Sequence, residues 1–181
     1  MHFFHFLPGA DALSSFRQQR LLASLASQGV ELESIEAQFL HFIWSENQLS
    51  TKDQEVLASL LTYGQPFASK ISQSKSWYAI GQSGAENIQG AIVIPRLGTV
   101  SPWASKATDI AQQCGLKVLR IDRGVQFTWK SKKSLTPEQE KKVLAAVHDR
   151  MTEAVINSVE DANALYQTLD DRPLMRIAVL A

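Results

Sequence analysis

Landmarks of this 181-residue chain recur at an almost constant spacing, and that recurrence narrows the possible folds more than any other feature. Pro8 and Pro95 lie 87 positions apart, as do Phe16 and Trp103. The spacing is 86 between Gly29 and Gly115, between Ile35-Glu36 and Ile121-Asp122, and between Leu49-Ser50 and Leu135-Thr136. One such match is cheap. Five in register point to two tandem copies of one unit, each reading strand, helix, extended stretch, helix. A unit of this kind leaves one sheet face apolar, and two can bury those faces by pairing. The expected fold is therefore α+β: internally duplicated strand-helix-strand-helix units forming a pseudo-twofold, mostly antiparallel sheet covered by helices. The expected division is 1–64 for the first repeat, 65–90 for a linker, 91–157 for the second repeat, and 158–181 for a terminal helix and the start of a following module.

In the first copy, Phe3 to Leu7 reads as a strand closed by Pro8-Gly9. Ser14 or Ser15 can cap a helix running to about Gln28, with Phe16, Leu21, Leu22, Leu25 and Ala26 apolar and Gly29 the stop. Val30 to Trp44 is extended, and its far end is apolar at both parities, as in a strand covered on both sides. Ser50, Thr51 and Asp53 open a second helix that Gly64 ends. The Ser-, Gln- and Gly-rich segment from Gln65 to Gly90 reads as the linker, with Trp77 to Ile80 as a short strand inside it.

The second copy contains the most informative stretch. Ile92, Val93 and Ile94 form an apolar run that stops at Pro95, which cannot donate to a sheet ladder. A loop with Gly98 follows, and Ser101-Pro102 opens a helix with a capping hydroxyl and a first-position proline. Trp103, Ala107, Ile110, Ala111 and Cys114 share one helical face, and Gly115 terminates it. Arg96, Thr99, Ser105, Lys106 and Asp109 lie in the loop or off that face, where backbone amides and charged side chains can hold something. An ordinary strand-to-helix connection is the plain alternative. The extended stretch Lys117 to Lys130 is interrupted by Asp122-Arg123-Gly124. This predicts either a hairpin of Val118–Ile121 with Val125–Trp129 or a strand with a bulge at Gly124. Thr136-Pro137-Glu138-Gln139 is a capping-box helix start, and Val143, Leu144, Val147, Met151 and Val155 extend that helix to about Ile156. A last helix is expected from Ser158 to Leu169. The final RIAVLA is an apolar, strand-like run, as if more protein follows.

Several chemistries are disfavoured. Lys+Arg and Asp+Glu both number 18, so no net field draws in nucleic acid, and Lys130, Lys132 and Lys133 read as a solvated loop. Cys114 is the single cysteine, which fits a reducing compartment, and its place on the apolar helix face makes it a core thiol. His2 and His5 fall on opposite strand faces, His41 reads as half-buried and His148 as a helix-surface residue, so no metal set forms. There is no phosphate-cradling glycine loop. Glu138, Glu140, Asp149 and Glu153 sit beside basic residues and read as solvated ion pairs. The N-terminal apolar run is too short for a bilayer and lacks a basic lead-in, so a cytoplasmic location is expected.

The run PRLGTVSPWASKATDIA from Pro95 to Ala111 resembles a stretch near the N-terminus of the large, single-chain phosphoribosylformylglycinamidine synthases (formylglycinamide ribonucleotide amidotransferases) of bacterial type. Supporting matches include Leu7-Pro8-Gly9, Ala12-Leu13-Ser14, Cys114-Gly115-Leu116, Arg120 with Arg123-Gly124, and His148-Asp149-Arg150-Met151. Departures are Leu97 where a second proline is common, Ala104 for a usual serine, and a long Gln65–Gly90 segment. The resemblance implies the N-terminal domain of that enzyme, which looks like a fused, duplicated version of a small separate subunit. The whole enzyme converts formylglycinamide ribonucleotide, ATP and glutamine to formylglycinamidine ribonucleotide, ADP, phosphate and glutamate. Its synthetase and glutaminase modules, partners in the same chain, would follow Ala181, and ATP and Mg would be bound there rather than in this segment. On this reading no residue here is catalytic, and no nucleic acid or membrane partner is implied. The interface residues are then Arg96, Gly98, Thr99, Ser101, Pro102, Trp103, Ser105, Lys106, Thr108 and Asp109. The alternative is a free-standing module with a small-molecule regulatory site between its two repeats.

Overall fold

A computed structural model of the chain describes residues 2–68 and 87–166. The short strand expected at Trp77–Ile80 and the RIAVLA run lie outside those residues. The elements follow in the order β1 (Phe3–Asp11), α1 (Ser15–Ser27), β2 (Leu32–Ser45), α2 (Thr51–Leu60), β3 (Ile88–Pro95), α3 (Pro102–Gln113), β4 (Val118–Ser131), α4 (Pro137–Val147) and β5 (Glu153–Ile156), then a 3-10 segment, Glu160–Leu165. They make one α+β domain around a five-stranded sheet of order β1-β2-β4-β3-β5, antiparallel at every pairing.

The helix starts are local and follow from side-chain chemistry. Ser14, Ser50, Ser101 and Thr136 each accept a bond from a first-turn amide, and Ser50/Asp53 and Thr136/Gln139 complete reciprocal capping boxes. Gly29 and Gly115 directly follow the caps of α1 and α3 at φ +80° and +84°, the left-handed region where a side chain is strained, whereas α2 is capped at Leu61, before Gly64.

The long strands β2 and β4 form the middle of the sheet. Their register sets Phe39 opposite Val125, residues 86 apart in sequence, with Ile35 opposite Trp129 and Ile43 opposite Ile121 on either side. Odd-numbered residues of both strands face the four helices. Leu25 of α1 and Val143 and Val147 of α4 cover Ile35, Ala37, Phe127 and Trp129 at one end. Leu57 of α2 and Ala111 of α3 cover Ile43 and Ile121 at the other. On the opposite face Leu40, Phe42, Trp44, Ile92 and Ile94 pack under Val159, Ala162 and Leu165. Burial on both faces explains why the far end of β2 is apolar at both parities.

Tertiary contacts overrule several local signals. Pro8-Gly9 does not close β1, which runs on to Asp11 with an irregularity in register after Pro8; an edge strand tolerates a proline because its outer amides need no partner. Asp122-Arg123-Gly124 is neither a hairpin turn nor a bulge: β4 passes straight through it, pairing Asp122 with Phe42, Arg123 with His41 and Gly124 with Leu40. Gly124 is needed for space. A Cβ there would lie 2.7 Å from the Val93 carbonyl oxygen and 2.9 Å from the Phe42 ring. The helix expected to reach Ile156 ends at Val147; His148 is already extended, and Glu153–Ile156 adds a strand to the free edge of β3. The expected helix from Ser158 is, among the described residues, the 3-10 segment. Phe16 and Met151 are 70% and 75% exposed rather than inward. Cys114 is exposed as well, because α3 ends beside it and its side chain clears the core.

Candidate functional site

The Arg96–Asp109 stretch is the loop and first two turns joining β3 to α3, and most of its polar groups serve the fold. Arg96 takes the Thr152 carbonyl through its amide (2.9 Å) and the Met151 carbonyl through Nη1 (3.3 Å), tying the loop to the turn before β5. Gly98 stands at φ +80°, and Thr99 Oγ1 donates to the Arg96 carbonyl at 2.6 Å. Ser101 caps α3 by accepting from the Ala104 amide at 3.0 Å, and Pro102 fills the first position. Ser105 donates back to the Ser101 carbonyl. Thr108 donates to the Ala104 carbonyl and accepts from the Ile121 amide at 2.9 Å, fixing α3 on β4. Arg120 clamps the loop from below: it pairs with Asp122 and donates to the carbonyls of Thr99 and Leu165, both at 2.9 Å. Asp122 is fully buried and its Oδ1 has no partner, so burial raises its pKa while Arg120 opposes the rise.

Trp103 turns inward and stacks on His41, ring centres 5.7 Å apart, over the middle of the sheet. The Arg123 guanidinium lies 4.7 Å from the Trp103 ring centre and 4.4 Å from that of Phe39, a cation held between two aromatic faces. Arg123 donates to Tyr63 Oη at 3.3 Å, and Tyr63 Oη lies 2.6 Å from His41 Nε2. With Tyr63 Oη donating its hydrogen bond to Nε2, the neutral His41 carries its own hydrogen on Nδ1. His41 is fully buried rather than half-buried, and its pKa is lowered to about 4. Desolvation is the main cause and the Arg123 charge adds to it, while the Leu7 backbone opposes them. Sequence reasoning missed this cluster and the Arg120–Asp122 pair alike. The available signal was two ionisable residues inside an apolar stretch, which reads as a turn until the paired strand is known.

Lys106 and Asp109 project outward from α3 and make no ion pair among the described residues, where the pairs are Arg120–Asp122 and Lys130–Glu33. Three of the four carboxylates expected in solvated ion pairs meet neutral donors: Glu140 takes Gln89 Nε2 at 2.6 Å, and Asp149 and Glu153 take backbone amides at 2.8 Å. His148 caps α4, with Nδ1 against the Leu144 carbonyl. No cluster of three or more metal-ligating side chains occurs among the described residues, and no helix there is long and apolar enough to cross a membrane.

Fold and site together define an α+β sheet domain with a specific polar strand-to-helix loop, clamped from within by Arg120 and Trp103. A family model described as formylglycinamide ribonucleotide amidotransferase N-terminal matches residues 38–166, from within β2 through the loop to the 3-10 segment. The chain belongs to this family, the N-terminal region of an amidotransferase of purine biosynthesis.

Proposed function

We propose that this domain is a structural coupler, without catalytic residues of its own, in the enzyme that makes formylglycinamidine ribonucleotide from formylglycinamide ribonucleotide, ATP and glutamine. It docks synthetase and glutaminase modules of the same polypeptide in the cytoplasm, and ATP and Mg are handled by those modules. Ammonia passed internally avoids protonation in bulk water, so a docking element affects glutamine-driven turnover without touching a reacting atom.

The observation that carries the reading is the outer rim of the loop. Leu97, Val100 and Met151 are 45%, 58% and 75% exposed, and the Arg96–Met151 bond ties the two segments that bear them. Apolar side chains held out by a rigid polar scaffold suit a permanent contact. We also infer that the domain is a fused pair of one unit. Supporting this, the 86-residue offset maps the pairing Ile35–Trp129 onto Ile121–Ile43 about the Phe39–Val125 centre.

The test is the complete enzyme carrying Val100→Asp with Arg96→Ala. The expected result is glutamine-dependent synthesis reduced severalfold with ammonia-dependent synthesis retained. Equal loss of both, or no loss of either, overturns the coupling role.

A further inference from the structure

We infer that the crevice between α2 and α3 is a binding site for a small monocyclic or branched apolar monocarboxylate. The crevice holds about 170 Å³ and is open on one side. Leu57 and Leu60 form one wall, Ala107 and Ile110 the other, and Ile121 of β4 the floor. An apolar cavity of ~150 Å³ accepts a benzene-sized guest, so a six-membered ring with one short substituent fits the space. Among the described residues Lys106 is the single charged one lining it, and its ammonium has no ion-pair partner there. A guest with an apolar body and one carboxylate therefore satisfies both features, whereas an ammonium guest meets like charge. Trp103 and Tyr63, which also line the crevice, are held by His41 and Arg123 behind them.

The walls come from helices on either side of the segment 65–86, so the site exists only when the two helix pairs are docked on the common sheet. The inference is independent of the coupling role, since it concerns binding by the 181-residue chain alone.

The experiment titrates the isotopically labelled 181-residue chain with benzoate, benzyl alcohol and benzylamine, followed by amide chemical shifts. Benzoate is expected to shift residues of α2 and α3 saturably and to bind about threefold to fivefold more tightly than benzyl alcohol, the value of one exposed charge contact, with benzylamine weakest. Lys106→Glu should invert that order, and Ala107→Leu should abolish all three by filling the space between the walls. Should Ala107→Leu fail to fold, the exposed Lys106→Glu carries the test alone. Shifts that do not saturate, shifts away from α2 and α3, or an order unchanged by Lys106→Glu overturn the assignment.

Discussion

Acid should loosen this domain through one residue, and the size of the effect follows from where that residue sits. His41 lies under Trp103, against Tyr63 and beside Arg123, with no exposed surface. Its pKa is about 4 in the folded chain against 6.5 when unfolded, so the unfolded state binds the proton more readily at every pH between those values. Stability is therefore intact above pH 6.5, falls as the pH drops towards 4, and loses nothing more from this group below that. At about 1.36 kcal/mol per pH unit, the gap is worth about 3 kcal/mol between pH 7 and pH 4. That is a large share of the ~5–15 kcal/mol that holds a typical domain. Asp122 works in the opposite direction: its raised pKa gives stability at low pH that fades as the carboxyl ionises. The informative quantity is thus the difference between the parent chain and His41→Phe, which keeps an aromatic ring under Trp103 and removes the proton site. At pH 7 the variant should be the less stable by about 1 kcal/mol, for the lost Tyr63 hydrogen bond. By pH 4 that order should reverse, because the variant escapes the 3 kcal/mol loss. Urea unfolding of both proteins at half-unit steps of pH, with m-values compared, measures this directly. Parallel pH profiles would refute the argument.

Two other substitutions test the middle of the sheet. Gly124→Ala normally favours a strand by relieving chain entropy, but here the new Cβ meets the Val93 carbonyl and the Phe42 ring, so stability should fall by about 1–3 kcal/mol, read as a lower urea midpoint. An unchanged or higher midpoint would mean that β3 can yield at that point. Arg120→Met leaves Asp122 buried without its counter-charge and frees the Thr99 and Leu165 carbonyls; the cost should be about 3–5 kcal/mol while the carboxyl is ionised, shrink as falling pH protonates it, and be partly recovered by adding Asp122→Asn. A cost independent of pH would show that the pair matters through geometry and not charge.

The sequence by itself determined the helix starts, because a cap is a contact within one turn. Ser50, Ser101-Pro102 and Thr136-Pro137 needed nothing beyond the next three residues to declare themselves, while the first cap was legible only as Ser14 or Ser15 and is Ser14. It also determined that β2 is covered on both faces, since alternation fails where both parities are apolar. The motif from Pro95 to Ala111 was specific enough to point to the family, and the positions of its capping and loop residues followed from local geometry.

Only the tertiary structure decided which groups the site consists of. Asp122-Arg123-Gly124 carries a turn signal, yet thirteen paired residues of β2 and the packing of Phe42 against Gly124 hold it extended. That decision places Arg123 between Phe39 and Trp103, residues 84 and 20 positions away, and buries His41 beneath them. Glu153–Ile156 is likewise a strand because the edge of β3 offers unpaired backbone there, not because its side chains prefer it. Local chemistry acts over three or four residues and can be read along the chain. Pairing and burial act between residues that become neighbours only after folding, and those interactions overrode the local signals wherever the two disagreed.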